Sequence, residues 1–516
     1  MKLKTYLLLS LSLGLGACAV SCNKNDDVRK EEKEPPELTE QAYLALKMNN
    51  MPTRAGGDAN ATVDDITVNG ACILLFDAAA PYDLLYKFPL EITNLNAGGT
   101  DIEDFRNKAG VNYLATAENA DVPTGESFVS KAFPVAVKSY GMVLLLNAKP
   151  ALLDGLITAG ETGTTTTLTT FNAARNATLN TLGTIVGAGP GYKEILMSNA
   201  QGAVNVPASS LKYSEEDAEE APATVDVIRA FAKIKVIKGA AFSNTLADNS
   251  KIIDGTVSWQ VDVTNRKTFL MRQTAAADYA SENAEQANWY ARDPNFEIAS
   301  LSETFLESEF NYATAPFPAS GSDAGTAFVA SPGNFRFVLE NTMSAAEQTA
   351  ALLAKGATRV TLCARITPDG YDPATDYYSY NGFTFTQAQA REWTASAGWP
   401  ADLAGIEAAI DAVNTKYMMT MLDFTQLTEP IFYFSVNGLT FHKDQWNVYN
   451  IPIRHFDLAE GTLGYYGVVR SNIYEVTINS IKGPGPPPGD ETYVSANVRL
   501  LPWAFRTQVE NEVVGE

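Results

Sequence analysis

Residues 492–506 read TYVSANVRLLPWAFR. Val494, Ala496, Val498 and Leu500 fall on one face at period two, and Tyr493, Ser495, Asn497 and Arg499 fall on the other. That alternation is a strand with one side made for a core. Residues 482–491, just before it, read KGPGPPPGDE. Proline keeps such a spacer extended and short of backbone donors. A core-seeking strand therefore closes the chain behind a tether. It either docks in its own domain or completes the sheet of another molecule.

The same pattern stands near the other end. Residues 41–65 read QAYLALKMNNMPTRAGGDANATVDD. Ala42, Leu44, Leu46 and Met48 alternate with Tyr43, Ala45, Lys47 and Asn49. Pro52, Thr53, Arg54, Ala55, Gly56 and Gly57 follow, a loop composition that offers a lone arginine to an Arg-specific protease. A cut between Arg54 and Ala55 would free the first strand before the next one, Asp65 to Phe76, begins.

The start of the chain is a secretion signal, with Lys2 and Lys4 ahead of the apolar run Tyr6 to Leu15. It ends in LGLGACAVSCNKNDD, with small residues before a cysteine, as in a bacterial lipoprotein signal. Cys22, which opens directly onto NKNDD, is the preferred acylation site; Cys18, which follows Leu-Gly-Ala, is the alternative. Residues 23–40 are charged and aperiodic, a tether behind the lipid.

Composition narrows the function. The 516 residues allow two or three domains, and a formal charge of −22 argues against nucleic acid as a partner. Only two histidines occur, His442 and His455, and no zinc-protease pair, nucleophile elbow, phosphate loop or dinucleotide fingerprint appears. The chain reads as no enzyme, with no cofactor and no metal. Cys72 and Cys363 lie inside apolar runs and read as buried thiols, with a disulfide left open. Tyr371, Tyr377, Tyr378, Tyr380 and Phe383 could stack a glycan, although aromatics around a hairpin more often pack a sheet.

Short runs rich in Thr, Val, Tyr and Phe, punctuated by Gly, Asn and Pro, give a mainly β chain with a few helices. Strands are expected at Ala71 to Phe76, Met142 to Leu146, Ile195 to Asn199, Gly255 to Val263, Thr268 to Arg272, Phe335 to Glu340, Arg359 to Pro368, Ile431 to Val436 and Ile473 to Ile481. Helices are expected within 151–185, at Ser344 to Lys355 and at Ala401 to Tyr417. Asn381-Gly382 signals a hairpin. The acidic stretch Ser214 to Asp226 has the composition of a linker, which places a domain boundary near Ala223 and lets VIRAFAKIKVI open the second half.

These residues resemble a family. VIRAFAKIKV, CARITP at Cys363 to Pro368, VVRSNIYEVTINSIKG at Val468 to Gly483, the proline spacer and VRLLPW at Val498 to Trp503 are similar to the Bacteroidetes fimbrillins, subunits of type V pili. The lipoprotein start and the Arg54 junction belong to the same pattern. The likeness is greatest to shaft subunits of the minor, or short, fimbria. Residues 386–420 fit the family poorly.

The resemblance implies two transthyretin-like β-sandwich domains in tandem and export to the outer membrane as a lipoprotein. It implies removal of the first strand, Ala42 to Met48, by an Arg-specific protease after Arg54. The C-terminal segment, with Val494, Ala496, Val498, Leu500 and Trp503, would then fill the emptied groove of the next subunit. The organisation is a signal (1–22), a tether with the removable strand (23–54), an N-terminal domain (55–222), a C-terminal domain (223–481), and a spacer with the donor strand (482–516). Implied partners are further copies head to tail, tip and anchor subunits, the protease and a surface receptor, all at the cell surface. The alternative is a monomeric surface lipoprotein that binds glycan through Tyr377 and Tyr380.

Overall fold

The computed structural model describes residues 41–50, 70–91, 114–116, 128–130, 132–173, 195–273, 290–313, 326–327, 335–396, 398–417, 433–484 and 494–502. Among these residues the chain is mainly β, with several sheets and a few short helices.

The first half holds β1 (Gln41–Leu44), β2 (Leu46–Asn50), β3 (Gly70–Asp77), β4 (Leu84–Glu91), β5 (Leu114–Thr116), β6 (Phe128–Ser130), β7 (Phe133–Ala136), β8 (Tyr140–Leu146), β9 (Met197–Asn199), β10 (Val204–Val206) and β11 (Ala223–Arg229). One sheet runs β4-β3-β8-β9-β11-β2-β6-β5, with β10 on β8 and a separate β1-β7 pair. The unbroken apolar runs in β3 and β8 follow from cover on both faces. Ile73, Leu75, Met142 and Leu144 enter one core, while Cys72, Leu74, Val143 and Leu145 enter a second.

The second half holds β12 (Phe231–Lys238), β13 (Lys251–Ile252), β14 (Ser258–Asp262), β15 (Thr264–Asn265), β16 (Phe310–Asn311), β17 (Thr326–Ala327), β18 (Phe335–Leu339), β19 (Asn341–Thr342), β20 (Arg359–Thr367), β21 (Tyr377–Tyr380), β22 (Phe383–Phe385), β23 (Tyr433–Val436), β24 (Leu439–His442), β25 (Trp446–Pro452), β26 (Gly467–Val468), β27 (Asn472–Ile481) and β28 (Val494–Pro502). The sheet β18-β12-β27-β28 and the sheet β13-β20-β14-β17, with β25 on β20, enclose a third core around Trp259, Ile234, Leu362 and Val476. Two packed sheets with inward residues at period two make a β-sandwich.

One expectation near the junction is corrected. Ser214 to Asp226 is not a linker: Ser214 caps the helix Glu215–Glu220, its Oγ accepting from Asp217 N at 3.1 Å. Glu215, Glu216 and Asp217 fall in the first turn, where the helix dipole favours them. The change from one sheet to the other falls at Ala230. β11 belongs to the first sheet through β2 and β9, whereas β12 belongs to the second through β18 and β27. The run 223–238 carries no Gly, Pro, Asn or Ser, so nothing at Ala230 announces the change of sheet.

Thr268 to Arg272, expected as a strand, is a pinned loop. Arg470 Nη2 donates to Phe269 O at 2.9 Å and to Thr268 Oγ1 at 3.0 Å, while Leu270 and Met271 enter the second core. That core also takes Phe337 and Ile473 from the second sandwich, so it joins the two halves.

The hairpin signal holds, with Asn381 and Gly382 at φ 48° and 84°, as a tight two-residue turn requires. The helix expected from Ala401 starts later, at Ile406, after Gly405 at φ 83°. It packs Ile406, Ala409 and Val413 on the β22-β21-β24-β23 sheet around Tyr378, Phe385 and Phe441. Cys72 and Cys363 are buried free thiols, and burial pushes Cys72 up to about 12 and Cys363 higher still.

Candidate functional site

The first strand is split between a separate pair with β7 and the interior of the first sheet. β1 runs antiparallel to β7, with Ala42 opposite Val135 and Leu44 opposite Phe133. Its backbone also reaches Lys212, with Tyr43 N donating to Lys212 O at 2.7 Å and Lys212 N to Tyr43 O at 3.1 Å. At Ala45 the chain changes partners. The Ala45 carbonyl accepts from Ala223 N at 2.8 Å, and Leu46 N donates to Ser130 Oγ at 2.8 Å. β2 then lies between two strands, parallel to β11 (Leu46 opposite Ala223, Met48 opposite Val225) and antiparallel to β6 (Lys47 opposite Val129).

Ala42, Leu44, Leu46 and Met48, the four residues singled out in the sequence, are each no more than 4% exposed. Ala45, assigned to the outward face, is also buried, at 1%. Period two cannot reveal this, because the strand changes sheets there. Burying the four side chains is worth roughly 4–10 kcal/mol gross.

The last strand has a weaker hold. β28 pairs antiparallel with β27 of the same chain, from Asn472 opposite Pro502 to Ile481 opposite Val494, with an irregularity between Ile478 and Ser480. It ends the sheet order, so it has one ladder where β2 has two. Ala496 and Val498 are only partly buried against the third core. The two segments that share an apolar pattern therefore occupy different sandwiches and differ in depth. Cys18, Cys22, Arg54, Ala55 and Trp503 lie outside the described residues.

The region from Leu439 to Pro502 gathers β24 to β28, and a family model matches it. Residues 440–509 fit the description "Major fimbrial subunit protein type IV, Fimbrillin, C-terminal". Over those residues the chain is similar to the fimbrillins. The matched region contributes β25 to one sheet of the second sandwich and β27 and β28 to the other. Fimbrillins are structural proteins of surface fimbriae, not enzymes.

Among solved structures, a fimbrilin from Porphyromonas gingivalis W83 is 11% identical over 90% of this chain and 99% of its own, with TM-score 0.37. The tip fimbrial protein from Porphyromonas gingivalis, with a C-terminal truncation, is 8% identical over 90% of this chain and 100% of its own, with TM-score 0.32. A candidate cell adhesion protein from Parabacteroides distasonis is 14% identical over 90% and 99%, with TM-score 0.41. These likenesses are distant, and the family match covers residues 440–509. No curated protein sequence matches the chain.

The aromatic cluster is core. Tyr377 and Tyr378 are fully buried, Tyr378 stacks on Phe385 at 5.2 Å between ring centroids, and Tyr377 stacks on His442 at 4.5 Å. Phe383 alone of the five is well exposed, and one ring makes no glycan platform. Both histidines serve packing. His442 Nδ1 donates to Trp446 O at 2.9 Å and Nε2 accepts from the Ser379 hydroxyl at 2.8 Å, while His455 Nδ1 meets Tyr474 Oη at 2.7 Å.

Proposed function

We propose that this chain is a shaft subunit of a surface fimbria that polymerises by exchanging strands. In this reading it is exported as a lipoprotein acylated at Cys22, or alternatively Cys18. An Arg-specific protease cuts after Arg54 and releases Gln41–Asn50. The C-terminal segment of the next subunit then enters the vacated groove.

The observation that carries the reading is the place of the first strand. Arg54 follows Asn50, the last residue of β2, by four positions in the sequence. A cut there leaves β2 held by non-covalent contacts alone, and its loss bares the ladder edges of both β11 and β6. An open edge beside an apolar groove recruits a strand. Before the cut, the resident strand wins by effective concentration. Afterwards a strand from another copy competes, and a head-to-tail contact of this kind propagates instead of closing. The donor must first leave β27, where it gives up a ladder that runs from Val494 to Pro502.

The test is the N-terminal residue of protein taken from the cell surface, together with trypsin treatment of the precursor. Ala55 at the N-terminus and concentration-dependent ladders on unheated gels support the reading. An acylated cysteine on the surface protein, or polymers that persist after deletion of residues 492–516, would sink it.

A further inference from the structure

The removable strand and the terminal strand share more than an apolar face. The first reads YLALKMNNMP from Tyr43 to Pro52, and the second reads YVSANVRLLP from Tyr493 to Pro502. Eight residues lie between tyrosine and proline in both. We propose that this shared frame sets the register of the exchange, with Tyr493 entering where Tyr43 leaves. The proposal rests on the strand-exchange reading above and adds the register to it.

Two features of the groove select this register over its neighbours. The first is Ala45, buried to 1% where the chain changes sheets. A side chain there must be small, and the shared frame supplies Ser495. Matching the two apolar quartets in order, with Val494 on Ala42 and Leu500 on Met48, would instead force Asn497 into this position.

The second is charge. Asn49 lies opposite Asp226, an exposed side chain on β11. The frame brings Arg499 to that place, across from the carboxylate, and opposite charges on neighbouring strands attract.

The same register makes the incoming strand the poorer fit. Val494 replaces Leu44, Ala496 replaces Leu46 and Val498 replaces Met48, each a smaller side chain in a pocket shaped by a larger one. The resident strand therefore holds the groove by packing as well as by tethering, and premature exchange is suppressed until the cut.

Disulfide trapping reads the register. Thr224 is exposed and lies opposite Lys47, the position that Asn497 takes in the shared frame. Subunits carrying Thr224→Cys are paired with subunits carrying Ser495→Cys, Asn497→Cys or Arg499→Cys, cut after Arg54 and polymerised. Dominant trapping at position 497 is the expected result. Dominant trapping at 495 or 499 overturns the register while leaving strand exchange intact. Polymers with no trapping at any of the three overturn the groove assignment, and an absence of polymers overturns exchange, with the register falling in both cases. Charge reversal supplies a variant set without cysteines. Asp226→Arg should slow polymerisation, and Arg499→Asp in the same chain should restore it; a double variant no faster than the single one contradicts the register.

Discussion

The Leu46 backbone N–H donates to the Ser130 hydroxyl at 2.8 Å, and both residues are buried. The bond stands at the point where the first strand leaves β7 and enters the ladder between β11 and β6. It satisfies a donor that changes partners there. Ser130→Ala leaves that donor unmet, at a cost of about 1–3 kcal/mol. The expected outcome is faster amide exchange in residues 44–48 and quicker release of the first strand after cutting. Unchanged exchange rates would show that another acceptor takes over.

Leu46 is fully buried in the first core, and Leu46→Ala should cost the uncut precursor about 2–5 kcal/mol. The same substitution should leave the finished polymer unaffected, since the residue has departed. Thermal unfolding of the precursor, set beside heat dissociation of fibres, checks both halves of the statement. Weakened fibres would mean that the first strand stays in place.

Arg470 and Glu340 form an ion pair at 3.0 Å with both side chains almost wholly buried. The guanidinium also reaches Leu270 O, so the pair ties the 268–272 loop to the second sandwich. Glu340→Gln strands a buried cation and should destabilise the chain by about 3–5 kcal/mol. A double change to Glu340→Leu and Arg470→Met should recover much of that loss, because no lone charge remains. Denaturant midpoints of the two variants test it.

Two buried groups give acid responses of opposite sign. Burial pushes Asp293 up to about 7 from an ordinary 3.8, aided by the nearby negative Glu340 and opposed by hydrogen bonds from Thr342 and Asn295. The folded state therefore holds its proton more tightly than the unfolded chain does. This contribution to stability is fully present below pH 3.8 and is lost as pH rises through about 7. Burial holds His442 down to about 3 from 6.5, so its contribution is present above pH 6.5 and is lost as pH falls toward 3. Asp293→Asn should steepen the loss of stability on acidification between pH 7 and 4, and His442→Gln should flatten it. Chemical denaturation across that range decides, and identical profiles for both variants would contradict the assignment.

Much of this was legible because strand periodicity survives translation into burial. Ala42, Leu44, Leu46 and Met48 alternate in the sequence and are buried in the fold. Asn381-Gly382 marks a hairpin because both positions need positive φ, which those residues tolerate best. The acidic run at 215–220 misled because linker composition and the first turn of a capped helix draw on the same residues. Thr268 to Arg272 misled because its apolar pair answers to a joint between two sandwiches, a long-range contact that no local period records.

The sequence alone determined the β character, the two matching amphipathic strands, the lone arginine after the first of them and the tether before the last. All are local properties of alternation, proline content and charge. The tertiary structure decided which slot each strand takes. It placed the first strand between β11 and β6 with two ladders and the last on the rim at β27 with one. Depth of burial depends on neighbours far along the chain, such as Ala223 opposite Leu46, and a two-residue period looks the same at the centre of a sheet as at its edge.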